Sequence, residues 1–187
     1  MAEIRCRHIK LLLACVDEDP AREELRAALS PEDTRLIDES APVAWLPVVV
    51  NVRATEAVWR VLGKGKREEF FNRLGGHDFD STLLKSVVAT AIRLFGVEPL
   101  RLLEWVPRGW TQLFRDETQI AVKAIGPKHA LLSFESLPSE LAESRPWVDS
   151  VAASMTAFFK ATRTQGVVLV DEASGKDRRM VLSFKWV

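Results

Sequence analysis

Tyrosine is absent from this sequence of 187 residues, and cysteine is scarce. Without a phenol, the chain has no tyrosine to serve as a general acid or a radical site. The two cysteines, Cys6 and Cys15, are too few for a disulfide framework, which favours a reducing compartment. Common site motifs are missing as well: there is no CxxC, HExxH, GxxxxGK[S/T], GxGxxG or GxSxG.

An excess of one charge is also missing. The 26 lysines and arginines balance 26 aspartates and glutamates, whereas nucleic-acid binders normally carry a basic excess, so we predict no nucleic-acid partner. The apolar stretch at residues 41–50 contains two prolines and is too short to span a bilayer. No segment has the pattern of a signal peptide. We therefore expect a cytoplasmic protein without a membrane span.

What is present is an ordinary globular composition. Hydrophobic residues make up 47% of the chain and charged residues 28%. There is no repeat of solenoid length, no low-complexity tract and no linker that would divide the chain. The length suits one domain, and we predict a single domain over residues 1–187.

Helical spacing dominates the first part of the chain. Residues 4–16 fit either a strand or a helix. Capping residues, prolines and glycines mark several further helices. One helix is predicted to start at Asp19-Pro20 and another to run from Ser30 to about Ile37. Further helices are predicted over residues 48–62, 67–74, 80–95 and 98–114, the last with a break at Pro107. A turn is expected at residues 63–66, and helix stops at Gly75-Gly76 and Gly96.

The hydrophobic period changes from helical to alternating after residue 117. Strands are predicted over residues 118–125, 130–135, 167–171 and 179–187, with one helix over residues 146–164 between the second and the third. Helices followed by strands in this order indicate an α+β fold. We expect N-terminal helices packed on a small antiparallel sheet with a C-terminal β-β-α-β-β order.

Residues that could carry chemistry are few. Cys6 and His8 could share a strand face, but two ligands are too few for a metal site, so we predict a buried cysteine and an exposed histidine. The segment His77-Asp78-Phe79-Asp80 is interpreted as a loop whose aspartates cap the following helix. Cys15 lies in an apolar run, where burial makes a thiol inert. We predict no catalytic residue, no metal and no enzyme activity.

An aromatic cluster is the most informative feature. Trp105, Trp110 and Phe114 lie within ten residues, beside Arg108 and Arg115. They could form a pocket wall with an arginine at its mouth. They could equally pack under the sheet as core with solvated arginines, which is the commoner use of such stripes. The candidate ligand-binding residues are Trp59, Trp110, Phe114 and Arg115.

In the order of several short motifs, the chain resembles a paralogous family of uncharacterised myxobacterial proteins. The motifs are AALSPED (residues 27–33), AWLP (44–47), VPRGW (106–110) with LFR (113–115), IGPKHALL (125–132) and LSFKW (182–186). That family is distantly similar to vinyl-4-reductase-like and haem-NO-binding-like ligand-binding domains. The resemblance implies helices on a small antiparallel sheet, often as a dimer, with a small-molecule cavity. The cysteine that the wider group carries before its last strand is missing from residues 171–178, and Leu46 stands where the family has tyrosine.

Two functions follow as hypotheses. The first is a non-enzymatic small-molecule-binding or sensory module with an apolar pocket between helices and sheet. The alternative is a structural or protein-interaction domain without a ligand, with a protein partner or a second copy in a homodimer. Haem would be a special case of the first and would need His8, His77 or His129 as its axial ligand. None of these lies on an apolar helix face, so we expect no cofactor.

Overall fold

A computed structural model describes residues 1–80, residue 90 and residues 98–187. The helix predicted over residues 80–95 therefore lies almost wholly outside the described residues. The described helices are α1 (Cys6–Asp17), α2 (Arg22–Ala28), α3 (Pro31–Glu39), α4 (Val48–Val61), α5 (Lys64–Asp80), α6 (Pro99–Leu103), α7 (Val106–Leu113), α8 (Ser139–Glu143), α9 (Arg145–Met155) and α10 (Ala157–Ala161). The described strands are β1 (Glu3–Arg5), β2 (Trp45–Pro47), β3 (Phe114–Arg115), β4 (Gln119–Gly126), β5 (His129–Glu135), β6 (Gly166–Ser174) and β7 (Arg179–Trp186).

The ambiguous N-terminal segment is a strand and then a helix. β1 pairs antiparallel with β2 on one side and with β3 on the other, which gives a three-stranded sheet. The helix α1 starts directly at Cys6, and its buried residues recur at helical spacing. Cys6 and His8 therefore share no strand face, because the strand lasts only three residues and both residues lie on α1. His8 is also not exposed: its side chain retains 15% of its accessible surface.

Helix α5 corrects three predictions at once. It starts at Lys64, where a turn was expected, and it continues through Gly75 and Gly76, where a stop was expected. Asp78 lies inside this helix and so caps no following one. The physical reason is a close helix contact, since a Cβ atom on Gly75 would lie 2.1 Å from the backbone oxygen of Ser154 in α9. Gly75 therefore allows α5 and α9 to pack closely and does not end a helix.

The C-terminal part confirms the predicted β-β-α-β-β order. Its four strands form an antiparallel sheet in the order β4-β5-β7-β6. Buried residues alternate along β5, where Ala130, Leu132 and Phe134 point to the core. The helix predicted over residues 146–164 is present as α9 and α10, and Ser144 caps α9 by accepting a hydrogen bond from the Trp147 amide. The fold is α+β, as expected.

Helix α9 positions the site. It packs against α4 and α5 on one side and against β6 on the other, so it lies between the N-terminal helices and the four-stranded sheet. Its buried residues Trp147, Val148 and Ala152 are part of one hydrophobic core with the sheet. In the part of the chain that the structure describes, no helix is long and apolar enough to cross a membrane.

Candidate functional site

A cavity of about 130 Å³ lies where α1, α4, α5, α7 and α9 converge. A cavity of roughly 150 Å³ lined by apolar side chains holds one benzene molecule. Phe114 of β3 is the only strand residue among the described lining, so the cavity lies among the helices and not against the four-stranded sheet. The described lining includes His8, Asn51, Phe71, Gly75, Asp78, Trp110, Phe114, Trp147, Ser150, Val151 and Ser154.

Stacked aromatic rings form one wall of the cavity. Trp110 and Phe114 stack with ring centroids 4.0 Å apart and an interplanar angle of 13°. Trp147 meets both rings edge-on at 6.4 Å. Trp110 is also buried against Phe134 of the sheet, so the cluster is core and cavity wall together. A wall of this kind offers a flat apolar surface to a ring-shaped ligand.

The other two predicted ligand-binding residues lie elsewhere. Trp59 packs against Phe71 at 6.2 Å and is not among the described lining residues. Arg115 does not stand at the mouth of this cavity. It pairs with Glu3 at 3.2 Å, and its guanidinium covers the ring of Trp45 at 4.4 Å. The structure therefore brings Trp110 and Phe114 together at the cavity but not Trp59 and Arg115.

A histidine–carboxylate pair lies at the edge of the cavity. His8 Nδ1 is 2.9 Å from Asp78 Oδ2 and 3.1 Å from Oδ1. Burial lowers the pKa of His8, but the charge of Asp78 and its hydrogen bond outweigh burial, so the pKa is raised above its ordinary value. Sequence reasoning missed this pair because 70 residues separate its members and no motif links them.

Stability should fall as pH rises through the titration of His8. Protonated His8 stabilises the folded protein, because the pKa of His8 is higher in the folded than in the unfolded state. This stabilisation is fully present below about pH 6.5, where an unfolded histidine titrates. It is lost as the pH rises through the pKa that His8 has in the folded protein. Urea unfolding at a series of pH values measures this fall. His8→Gln should remove it, whereas His77→Gln should keep it, because His77 is half-exposed and 3.9 Å from Glu18. An unchanged pH profile in His8→Gln would contradict the assignment.

Asn51 is a polar residue in an otherwise apolar stretch of α4. It is 1% exposed, and its Oδ1 accepts a hydrogen bond from Trp147 Nε1 at 3.1 Å. Its Nδ2 has no hydrogen-bond partner among the described residues. The signal for this residue was available in the sequence, because an asparagine between Val48, Val50 and Val52 is unusual in a buried helix.

The two cysteines and His129 are not among the described residues that line the cavity. Burial raises the pKa of both the Cys6 and the Cys15 thiol, which keeps them protonated. His129 lies on the sheet, with Nε2 2.9 Å from Ser183 Oγ. His8 is therefore the histidine that lines the cavity, and the sequence contains three histidines in total.

Comparison with proteins of known structure identifies the fold. The chain is similar to the Fe(II) unliganded H-NOX protein from K. algicida, with a TM-score of 0.62 and 9% identity over 98% of this chain and 97% of that chain. It is similar to an oxygen-binding H-NOX domain related to soluble guanylate cyclases, with a TM-score of 0.63 and 12% identity over 98% and 95%. A point mutant of T. tengcongensis H-NOX matches with a TM-score of 0.60 and 12% identity over 98% and 97%.

No protein-family model and no curated protein matches the chain. At identities of 9–12% the structural matches establish a shared fold over nearly the whole chain. They confirm the expected similarity to haem-NO-binding-like domains at the level of the fold. A shared fold does not determine function, which depends on the residues of the site itself.

Proposed function

We propose that the chain is a non-enzymatic, small-molecule-binding module of the sensory type, whose ligand occupies the cavity between α4, α5, α7 and α9. The observation that carries the proposal is an apolar cavity with aromatic walls and a few inward polar groups, the usual composition of a ligand site. The fold shared with an oxygen-binding H-NOX domain adds support by analogy only.

Haem is the first ligand to compare with the cavity, because one of the H-NOX structures that the chain resembles concerns heme distortion and another is an oxygen complex. The cavity is too small for it. At about 130 Å³ it suits one ring of benzene size, whereas pockets for drug-sized ligands measure roughly 300–1,000 Å³ and a porphyrin exceeds most such ligands. Trp110 and Phe114 stack directly at its wall, where a macrocycle would need free space.

The charges of the cavity do not suit haem either. The two propionates of haem need cationic or hydrogen-bonding partners, but the described lining contains no lysine or arginine and has Asp78 as its anion. His8 alone would be compatible, since a carboxylate on Nδ1 is how proteins often orient a histidine that ligates a metal. The size of the cavity and the charges of its described lining residues therefore speak against haem and for a small, uncharged ligand.

The same geometry supports a binding function over catalysis. A histidine held by a carboxylate could serve as a general base, but it would need a nucleophile within hydrogen-bond reach. Among the described residues, no hydroxyl or thiol makes a hydrogen bond to His8. The nearby Ser150 hydroxyl instead donates to the Trp147 carbonyl at 2.7 Å. The protein partner or homodimer expected from the sequence stays a prediction.

Benzene should bind this cavity and stabilise the protein. A ligand present at 100 times its Kd stabilises by about 2.7 kcal/mol, which raises the Tm of a domain of this size by roughly 5–10 °C. Thermal unfolding with increasing benzene measures the effect. Val151→Phe should abolish the response because Val151 lines the cavity and the larger ring fills it.

The matched control is Val43→Phe, the same substitution at a side chain that is 70% exposed and outside the cavity. It should leave the benzene response intact. If both variants respond like the unaltered protein, benzene binds elsewhere and the cavity is not the site. If the unaltered protein does not respond at all, the proposed function fails.

A further inference from the structure

A hydrogen-bonded pair in the lining of the cavity indicates which kind of ligand the cavity takes. His8 and Asp78 both line the cavity, and their side chains keep 15% and 11% of their accessible surface. We infer that the ligand is a small phenol, whose ring lies against the aromatic wall and whose hydroxyl donates a hydrogen bond to the His8–Asp78 pair. The inference rests on the proposed function, since it specifies the chemistry of the ligand that the same cavity takes.

The contact within the pair decides where its proton lies. His8 Nδ1 is 2.9 Å from Asp78 Oδ2 and 3.1 Å from Oδ1. An ionised carboxylate can only accept hydrogen bonds, so Nδ1 carries the proton and donates to Asp78. In the neutral imidazole, Nε2 then has a lone pair and no proton. Beyond this contact the pair therefore offers the Nε2 lone pair and the further lone pairs of the carboxylate, all of which are acceptors.

A lining that contains these acceptors favours a ligand with a donor. Benzene would displace water from the acceptors without replacing its hydrogen bonds, which costs free energy. A ketone, which only accepts, would do the same and would add repulsion between lone pairs. A phenolic O–H donates instead. Its hydrogen bond to a carboxylate, or to an imidazole polarised by one, is stronger than a bond between two isolated neutral groups.

The aromatic wall accounts for the ring of the ligand. Trp110 and Phe114 stack with centroids 4.0 Å apart, and Trp147 meets both edge-on. These rings line the same cavity as the His8–Asp78 pair, and at about 130 Å³ that cavity suits one ring of benzene size. A single ring that fills so small a space contacts the wall and the pair together. The hydroxyl then fixes the orientation of the ring.

The test compares two rings of nearly the same shape. Phenol carries the donor, and toluene replaces its hydroxyl with a methyl group. Calorimetry measures both affinities for the unaltered protein and for His8→Leu/Asp78→Val, at a pH at which NMR shows the His8 ring to be neutral and phenol to be protonated. Both members are replaced, because removal of one would leave the other buried without its partner. One hydrogen bond is worth about a factor of ten, so the phenol-to-toluene affinity ratio should fall about tenfold.

His77→Leu/Glu18→Val is the matched control. His77 Nε2 is 3.9 Å from Glu18 Oε2, but both side chains are about half-exposed and neither is among the described lining residues. The control should leave the ratio unchanged. A second measurement needs no variant. In unaltered protein labelled with ¹⁵N and ¹³C, the ring nitrogens of His8 or the carboxyl carbon of Asp78 should shift with phenol and much less with toluene.

The outcomes separate this inference from the proposed function. A ratio that falls in His8→Leu/Asp78→Val but not in the control, with a phenol-specific shift of the pair, establishes the phenol site. Binding of both rings with an unchanged ratio, or with equal shifts of the pair for phenol and toluene, overturns the inference and leaves a cavity that binds apolar rings. Failure of both rings to bind the unaltered protein overturns the proposed function as well.

Discussion

Replacing Gly75 with alanine should destabilise the protein by about 3 kcal/mol, the upper end of the usual cost of overpacking. The new Cβ atom would lie 2.1 Å from the Ser154 carbonyl oxygen and 2.8 Å from its carbon. Both are backbone atoms of α9, so no side-chain rotation relieves the clash, and α5 must move away from α9. Urea unfolding at constant pH measures the change in the free energy of unfolding.

The neighbouring glycine is the control for this prediction. A Cβ atom on Gly76 would meet nothing described within 4 Å. Alanine is a better helix former than glycine by roughly 0.5–1 kcal/mol in a helix interior, so Gly76→Ala should stabilise slightly. Equal effects of Gly75→Ala and Gly76→Ala would show that α5 and α9 do not approach as closely as described. Because Gly75 also lines the cavity, Gly75→Ala should weaken benzene binding as well.

Trp110→Ala should have a large effect on both the stability of the protein and the size of the cavity. Trp110 is 7% exposed, stacks on Phe114 and donates from Nε1 to Asp116 at 3.2 Å. Truncation of a buried tryptophan to alanine costs about 3–5 kcal/mol, part of which is the enlarged cavity. If the variant remains folded, it should bind indole, which is too large for the unaltered cavity. Chemical unfolding and an indole titration measure the two effects.

Trp59→Ala is the control, because it removes a tryptophan that is not part of the described cavity wall. Trp59 is only half-buried and lies behind Phe71, outside the described lining. Its truncation should cost less stability than Trp110→Ala and should not create an indole site. An indole site in Trp59→Ala, or its absence in a folded Trp110→Ala, would contradict the assignment of Trp110 to the wall.

The parts of the fold that local patterns control could be predicted from the sequence. Strand β5 was found because its apolar residues alternate, and α9 because Ser144 and Pro146 mark a helix start. The end of α5 was mispredicted because glycine is ambiguous. A glycine can end a helix, or it can let another backbone come close, and only the position of α9 decides between the two.

The candidate site shows the same division. Trp110 and Phe114 are four residues apart and stack, with Phe114 directly after the end of α7, so this contact is local in sequence. Pairs that form through tertiary packing could not be predicted from local sequence patterns. His8 meets Asp78 across 70 residues, and Trp147 meets Asn51 across 96. Arg115 likewise meets a partner, Glu3, that is distant in sequence and adjacent only through the pairing of β1 with β3.

The shared fold and the lining of the cavity indicate different ligands for this chain. It shares its fold with haem-containing H-NOX proteins, but its described cavity has the size of a single ring and no cation for a propionate. A common fold can host different sites, because the ligand is decided by the side chains that line the cavity. For this chain we propose a small, uncharged ligand.

A crystal structure of the protein grown with benzene tests the central claim most directly. We expect density for one ring in the cavity, against Trp110 and Trp147. Density for a porphyrin ligated by His8 would contradict the account. So would a cavity that stays without bound benzene at saturating concentration.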